Sequence, residues 1–407
     1  MRKVVLVSLD AFFYADTFRI SPDGFLSRMF REGAFCRRVE TIFPALTYPI
    51  HVTMITGCEP DKTGVGQNQP PQPGVPQDMR VWYWERKNIR VPTLFDAVKS
   101  AGGRSCSIFW PVACRNKAAR WCVPEVHPLR GENPVMKALR YGNAAFELLA
   151  EAKFGSLRQG ISEPGLSNFA AAVAANVIRR HKPEFSAIHF IDLDEARHKH
   201  GVFSPEALAA LQRNDARLEQ LWNAMQATPG MEDALLIAVS DHGQEDITET
   251  VNLTKKLAEY GLDQELFVQS NGMSACFFPG PGYSGHADPE KLLPPEKWDD
   301  LGISRLYTRA DLDAMHAVEG PLFAAEAKPG VVFSDALDEE KREAATHGFG
   351  PGREADLCLF AVRGKGIKEG VEIPAMHMRD VGPTIAGFMG LELEEADGID
   401  RSAEFLA

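Results

Sequence analysis

Short apolar runs alternate with longer segments of helical periodicity along most of the chain. The runs cover residues 3–9, 105–109, 185–191, 234–239 and 357–362, and they have the length of strands that are buried on both faces. Apolar residues at helical spacing predict helices over 22–32, 92–101, 166–181 and 205–225, with a last helix beginning near residue 380. This alternation predicts an α/β fold in which helices sandwich a mostly parallel central sheet.

The pattern changes between residues 245 and 345, where the apolar runs are short and turn residues interrupt them. The Pro-Gly-Pro-Gly sequence at 279–282 is typical of such turns. We therefore interpret 245–345 as an inserted cap or subdomain, and 1–244 with 346–407 as the core. Residues 115–165 begin with basic residues and then become helical, which we interpret as an excursion packed over the site.

Composition and charge narrow the class of protein and its partners. The chain has 407 residues, 44% of them hydrophobic and 25% charged, as in a globular protein with a large core. A net charge of −12 without a basic stripe argues against a nucleic-acid polymer as partner. No run approaches the roughly 18 apolar residues of a membrane helix, so we expect no membrane partner. The first run is too short for a signal peptide.

The cysteines indicate reduced thiols. The chain has seven, an odd number, and they show no metal-type pair spacing. We therefore predict a cytoplasmic protein, with the choice between monomer and homodimer left open.

The segment 41–68 contains a hydroxyl at the predicted start of a helix. Thr47 is a suitable N-cap, and Pro49 is tolerated in the first helical turn because the N–H it lacks would be unpaired there. Gly57 ends the predicted helix. Its apolar face comprises Ile50, Met54 and Ile55. A hydroxyl beside unpaired backbone N–H groups at a helix N-terminus is suited to a phosphate.

Aspartate and histidine residues follow several of the predicted strands. Asp10 ends the first apolar run, and Asp241 follows the run at 234–239. Because the C-terminal ends of parallel strands meet at one edge of a sheet, we expect these side chains to lie together. The full candidate set is Asp10, Asp194, His198, Asp241, His242 and His347. Histidine nitrogens with carboxylate oxygens form the donor set of a zinc site.

Together with Thr47 and Asn68, these six residues resemble the site of the alkaline phosphatase superfamily, and within it the type I phosphodiesterase/nucleotide pyrophosphatase family. The similarity extends over residues 3–250 and 340–390 and fades in between. It implies an alkaline phosphatase-like fold whose catalytic core is the part outside the insertion. It also implies a small-molecule phosphate ester as substrate.

The resemblance implies a metal set and a mechanism. One divalent ion would be held by Asp194, His198 and His347, and a second by Asp10, Asp241, His242 and the Thr47 oxygen. Zinc is the expected metal and manganese the alternative. Thr47 would attack phosphorus in a phosphodiester or pyrophosphate bond and form a phosphothreonine, which water then hydrolyses. Asn68 would donate its amide to a non-bridging oxygen.

Several alternatives stay open at this point. A phosphonate hydrolase similar to phosphonoacetate hydrolase, or a phosphomonoesterase, would use the same metals and nucleophile. A non-catalytic zinc-binding protein is a further alternative that nothing in the sequence favours. The aromatic residues at 82–84 and 109–110 fit either the core or a pocket for a planar leaving group. Structural roles are expected for the remaining candidates His51, His189, His200 and His377.

The residues around the nucleophile favour diesters over monoesters. The family often reads Lys-Thr-Phe-Pro-Asn-His at this point, whereas this chain reads Leu-Thr-Tyr-Pro-Ile-His over residues 46–51. The lysine and asparagine are missing, so specificity for nucleotides does not follow from the resemblance. A monoester carries an extra negative charge, and no basic residue flanks Thr47 to meet it. The basic residues Arg115, Lys117 and Arg120 would change this expectation if they folded over the site.

Overall fold

The computed structural model describes residues 1–158, 160–285, 288–337 and 343–407. Its strands are, in chain order, β1 Val4–Leu9, β2 Ala34–Glu40, β3 Ser105–Ile108, β4 Ala119–Val123, β5 Phe185–Phe190, β6 Leu235–Val239, β7 Glu245–Asp246, β8 Glu249–Asn252, β9 Leu266–Ser270, β10 Ser274–Pro279, β11 Ile303–Tyr307, β12 Phe323–Ala327, β13 Val331–Ser334, β14 Ala345–Thr346, β15 Leu357–Arg363, β16 Val371–Glu372 and β17 Met376–His377.

The α-helices of the described residues are α1 Phe25–Glu32, α2 Thr47–Thr56, α3 Pro60–Thr63, α4 Leu94–Ser100, α5 Pro134–Tyr141, α6 Ala144–Phe154, α7 Gly165–His181, α8 Asp192–His200, α9 Pro205–Gln226, α10 Leu253–Glu259, α11 Pro289–Leu292, α12 Trp298–Leu301, α13 Arg309–Ala314, α14 Val381–Met389 and α15 Ser402–Phe405.

One large mixed sheet organises the molecule. Its strand order is β16-β2-β15-β6-β1-β5-β3-β4, and β17 also pairs with β2. Most neighbouring strands are parallel, whereas β15 runs antiparallel to both β2 and β6. The prediction of an α/β fold with a mostly parallel sheet is confirmed.

Both faces of this sheet are covered by helices. Successive side chains of a strand point to opposite faces, so Val4 and Leu6 enter one core while Val5 and Val7 enter the other. The first core is completed by side chains of α2 and α14, and the second by side chains of α7 and α9. Burial on both sides explains why the central strands read as continuous apolar runs.

A second, antiparallel sheet lies within the predicted insertion. Its order is β11-β12-β10-β9, and the short pairs β13-β8 and β14-β7 lie beside it in sequence. These strands share an apolar core that also includes Ala45 and Phe349 from outside the interval. The boundaries at 245 and 345 stay a prediction.

Four strands of the large sheet were not predicted from the sequence: β2, β4 and the two-residue strands β16 and β17. In β2 the partly exposed Arg37 and Arg38 interrupt the apolar pattern, and β4 begins within the basic stretch of 115–120. β4 is the last strand at one end of the sheet, and β2 lies one strand in from the other end, between β15 and the short β16. The helix predicted near residue 380 is α14, and the short α15 follows it.

The seven cysteines are buried free thiols. Burial raises the pKa of the Cys36 and Cys276 thiols to about 11 and that of Cys122 to about 12. In the described parts of the chain, none of the helices combines the length and apolar character that crossing a membrane requires. The cytoplasmic location stays a prediction.

Candidate active site

Three adjacent strands bring most of the candidate residues to one rim of the large sheet. Asp10 directly follows β1. β6 is followed by Ser240 and then by Asp241 and His242. Asp194 and His198 lie on α8, which begins just after β5. Because β6, β1 and β5 are neighbours, their C-terminal ends place these side chains together.

Asp10, Asp241 and His242 form one buried group. Their ligand atoms lie within 4.8 Å of one another. The His242 Nε2 atom is 3.6 Å from Asp10 Oδ1 and 3.2 Å from Asp241 Oδ2. Among the described residues, neither of these two buried oxygens has a hydrogen-bond partner. Two unpartnered carboxylate oxygens beside an imidazole nitrogen fit a divalent cation.

A second group shares His242. The ligand atoms of Asp194, His242 and His347 also lie within 4.8 Å of one another. His198 Nε2 is 3.3 Å from Asp194 Oδ1, and the His242 and His347 rings stack with centroids 3.8 Å apart. The structure thus brings the six predicted ligands together. How they divide between two ions stays a prediction.

Burial governs the charges of this cluster. Burial, reinforced by the charge of Asp194, raises the pKa of Asp10 to about 6. Burial and the nearby Asp10 likewise raise the pKa of Asp241 well above its ordinary value. For His242, burial and the neighbouring His347 lower the pKa well below its usual range. A divalent cation would favour carboxylates and neutral imidazoles, which is the donor set that zinc and manganese accept.

Thr47 presents its hydroxyl to this cluster. The sequence predicted that Thr47 caps α2, but the N-cap is Leu46, and Thr47 is the first helical residue. The Tyr48 N–H donates to Asn68 Oδ1 at 2.9 Å and Pro49 has no N–H, so the first turn provides the hydroxyl with few donors to cap. The Thr47 Oγ1 atom instead lies 3.2 Å from His242 Nε2.

The helix that carries Thr47 is held firmly. All ten residues of α2 are buried, so it has no single apolar face as the spacing predicted. Gly57 ends it in the left-handed conformation with φ 69°, as expected for a helix-terminating glycine. The His51 Nδ1 atom lies 2.8 Å from the Thr47 carbonyl oxygen one turn earlier.

Asn68 lies on the wall of a cavity beside the cluster. The cavity has a volume of about 500 Å³ and is also lined by Trp82, His198 and His347. Because the side-chain oxygen Oδ1 of Asn68 accepts the Tyr48 N–H, the side-chain amide nitrogen of Asn68 remains as a donor. Thr47 and Asn68 are thereby linked through the first turn of α2.

The interval 245–345 supplies one wall of the same cavity. Asp335 and Arg80 form a buried ion pair there, with Arg80 Nη1 2.8 Å from Asp335 Oδ2. Gln67 Nε2 donates to Asn271 Oδ1 at 3.1 Å, which joins the segment before Asn68 to the end of β9. Sequence reasoning gave none of these four residues a role, because their contacts span distances of about 200 residues or more.

The aromatic residues divide between the two alternatives. Trp82 lines the cavity and meets the Tyr48 ring at 5.2 Å, whereas Trp84 and Trp110 are buried in the core. Phe109 lines a separate, mainly apolar cavity of about 470 Å³. Of the aromatic residues at 82–84 and 109–110, Trp82 is therefore the one that lines the cavity beside the cluster.

Two histidines predicted to be structural lie against the site. His189 Nε2 is 2.9 Å from Asp10 Oδ2, and its Nδ1 is 3.2 Å from Glu125 Oε2. The His51 and His189 rings are 4.4 Å apart. The available signal was a polar residue within the apolar run 185–191; Glu125 offered no comparable signal. His200 and His377 are exposed.

A sequence model of the type I phosphodiesterase/nucleotide pyrophosphatase family matches residues 4–349. The fold and this acid–histidine site therefore define a member of the alkaline phosphatase superfamily. Within it, the chain belongs to the type I phosphodiesterase/nucleotide pyrophosphatase family.

The sequence of this chain aligns with only part of each curated relative. The human ectonucleotide pyrophosphatase/phosphodiesterase family member 1 is 22% identical over 223 residues, which are 54% of this chain and 21% of that protein. The rat family member 3 is 21% identical over 254 residues, 60% of this chain and 25% of that protein. The chain thus spans about a fifth to a quarter of these curated relatives.

Solved structures resemble the chain over its whole length. An inactive variant of murine ectonucleotide pyrophosphatase/phosphodiesterase 5, in complex with AMP, superposes with a TM-score of 0.73 at 15% identity and covers 100% of both chains. The human protein of the same name gives a TM-score of 0.71 at 16% identity, covering 98% of this chain and 97% of the other. These similarities support the alkaline phosphatase-like fold.

Proposed function

We propose that the chain is a metal-dependent hydrolase that cleaves phosphodiester or pyrophosphate bonds through a phosphothreonine on Thr47. The observation that carries this proposal is the position of the Thr47 hydroxyl. It lies 3.2 Å from Nε2 of His242, the residue that belongs to both acid–histidine groups. Membership of the family supports the reaction class.

The side chains of the chain itself have distinct tasks in this reaction. Asp10, Asp241 and His242 would hold one divalent ion, and Asp194, His198 and His347 the other. When bound, the ions would stabilise charge on the attacking, leaving and non-bridging oxygens. The Thr47 hydroxyl gives up its proton, and its oxygen forms the new bond to phosphorus as the bond to the leaving alkoxide or phosphate breaks; the leaving group takes up a proton. A water then hydrolyses the phosphothreonine, which releases phosphate or its monoester and restores the Thr47 hydroxyl. Asn68 donates its amide to a non-bridging oxygen.

The charges around the cavity favour a diester over a monoester. Among the described residues that line the cavity, Arg80 is the one arginine or lysine, and its charge is compensated by Asp335 at 2.8 Å. Arg115, Lys117 and Arg120, which could have overturned this expectation, are exposed and do not line the cavity. Arg115 pairs with Glu85 at 3.1 Å and stacks on Tyr141. A diester carries only one negative charge, and the neutral amide of Asn68 is suited to bind it.

The decisive experiment compares kcat/KM for bis-p-nitrophenyl phosphate and p-nitrophenyl phosphate at matched pH and zinc. We expect the diester to be the better substrate and the purified protein to carry two divalent ions by elemental analysis. Preference for the monoester would favour a phosphomonoesterase. Turnover of phosphonoacetate alone would favour a phosphonate hydrolase, and one ion or none after growth in zinc would contradict the two-metal site.

A further inference from the structure

His189 is enclosed between two carboxylates behind the first acid–histidine group. It is fully buried on β5, beside β1, the strand that Asp10 directly follows. Its Nε2 lies 2.9 Å from Asp10 Oδ2, while its Nδ1 lies 3.2 Å from both Glu125 Oε2 and the Phe109 carbonyl oxygen. Each ring nitrogen therefore faces oxygen acceptors, and His189 is in neither of the two acid–histidine groups.

The two oxygens of Asp10 have different surroundings. Oδ2 is held by His189, whereas Oδ1 is buried without a hydrogen-bond partner among the described residues and lies 3.6 Å from His242 Nε2. A carboxylate held by one oxygen cannot rotate freely about its Cβ–Cγ bond. The contact with His189 thus fixes the direction in which the other oxygen is offered.

Glu125 in turn fixes the ring of His189. It lies in the segment after β4, at the edge of the sheet, and is only 7% exposed. A carboxylate is costly to bury unless it is paired, and the second oxygen of Glu125 lies 3.6 Å from His127 Nε2. The chain of contacts therefore runs from the sheet edge through His189 to Asp10.

We propose that Glu125 and His189 are positioning residues that orient Asp10 toward a divalent metal ion held with Asp241 and His242. The proposal rests on the metal-dependent function described above. His189 donates Nε2–H to Asp10, and Glu125 accepts Nδ1–H and holds the ring in place. Hydrogen-bonded supports of metal ligands typically change metal affinity by about 10- to 100-fold.

The experiment measures metal binding directly on the full chain. Metal-free protein is titrated with Zn²⁺ against a chromophoric chelator, and the thermal midpoint is recorded with and without Zn²⁺. The variants are His189→Phe, which removes both donors, His189→Gln, which keeps an N–H near the position of Nε2, and Glu125→Gln. Ser186→Ala is the matched control, because Ser186 is buried on the same strand and its hydroxyl has no hydrogen-bond partner among the described residues.

We expect His189→Phe to weaken one of the two Zn²⁺ binding events by about 10- to 100-fold while the other stays within threefold of wild type. His189→Gln should recover most of the lost Zn²⁺ affinity. Glu125→Gln should lose less Zn²⁺ affinity than His189→Phe, and Ser186→Ala should lose none. Excess Zn²⁺ should restore kcat/KM of His189→Phe toward wild type. The conservative His189→Gln keeps the test informative if the phenylalanine variant does not fold.

Unchanged affinity for both ions in His189→Phe and Glu125→Gln would overturn the proposal, as would a lower thermal midpoint of the metal-free variants without any change in Zn²⁺ binding. The titration needs no substrate, so it separates the two proposals. If the wild type binds two ions but hydrolyses no phosphate ester, the proposed function fails and the positioning role stands. If it hydrolyses esters and the variants bind Zn²⁺ normally, only the positioning role fails.

Discussion

Asn68 provides a quantitative test of how the site stabilises the phosphoryl group. Its Oδ1 accepts the Tyr48 N–H at 2.9 Å, which leaves the amide nitrogen as the donor to a substrate oxygen. Asn68→Ala removes that donor. Loss of one preorganised donor to a developing oxyanion costs about 10²- to 10³-fold in kcat, or roughly 3–4 kcal/mol. We expect a loss of this size for Asn68→Ala.

Asn68→Asp separates the donor from the backbone support. The aspartate can still accept the Tyr48 N–H, so the start of α2 stays intact. The aspartate also adds a negative charge beside the negatively charged phosphoryl group. Two like charges about 4 Å apart repel by about 4 kcal/mol at an effective dielectric constant of 20. Bound cations screen part of this repulsion, so we expect Asn68→Asp to be at least tenfold slower than Asn68→Ala.

The assay is kcat/KM for bis-p-nitrophenyl phosphate, with metal content and thermal midpoint measured on the same preparations. Metal content should be unchanged, because Asn68 is not among the candidate ligands. Gln69→Ala is the control, since Gln69 lines the same cavity and takes part in a hydrogen bond through its backbone carbonyl. Retention of more than about a tenth of wild-type activity in Asn68→Ala, or equal rates for both Asn68 variants, would refute the reasoning.

Two further predictions concern the site, and a third concerns Glu147, which lines the separate apolar cavity. Thr47→Ala should abolish turnover yet retain at least one ion, while Thr47→Ser should stay active; more than about a tenth of wild-type activity in Thr47→Ala would exclude the covalent route. Asp335→Asn should free Arg80 to meet an extra phosphate charge and shift the diester-to-monoester ratio of kcat/KM toward monoesters by about tenfold; an unchanged ratio would count against the charge argument. Burial raises the pKa of Glu147 to about 7, so the folded state holds its proton longer than the unfolded state, and stability is lost as pH rises from about 4.5 through 7. Glu147→Gln should therefore be stabilising by up to about 3 kcal/mol at pH 8 and neutral at pH 4, as measured by denaturant unfolding; equal effects at both pH values would contradict burial as the cause.

The central strands could be predicted because their environment leaves a clear pattern. Residues 4–7 are all apolar, since one core takes Val4 and Leu6 and the other takes Val5 and Val7. β2 has no such pattern. Its arginines face partly into solvent, and its strand conformation comes with long-range pairing to β15, β16 and β17.

The candidate site divides in the same way. Asp10 and Asp241 could be predicted because the end of a parallel strand is where an α/β sheet places its chemistry. Glu125 could not, because its contact with His189 joins residues 64 apart through the packing of an edge segment. Asp335 likewise meets Arg80 across 255 residues, and no local pattern encodes such a pair.

The burial of the cysteines has a consequence for the chemical durability of the molecule. A thiol reacts with oxidants and alkylating agents as its thiolate, and a pKa of about 11, as for Cys36 and Cys276, leaves roughly one thiolate in ten thousand thiols at pH 7. All seven cysteines are enclosed in this way, and the candidate ligand set contains no sulfur. Peroxide or iodoacetamide should therefore leave the cysteines of the folded protein unmodified over times that inactivate thiol-dependent enzymes. The rate at which the cysteines are labelled then reports the rate of unfolding.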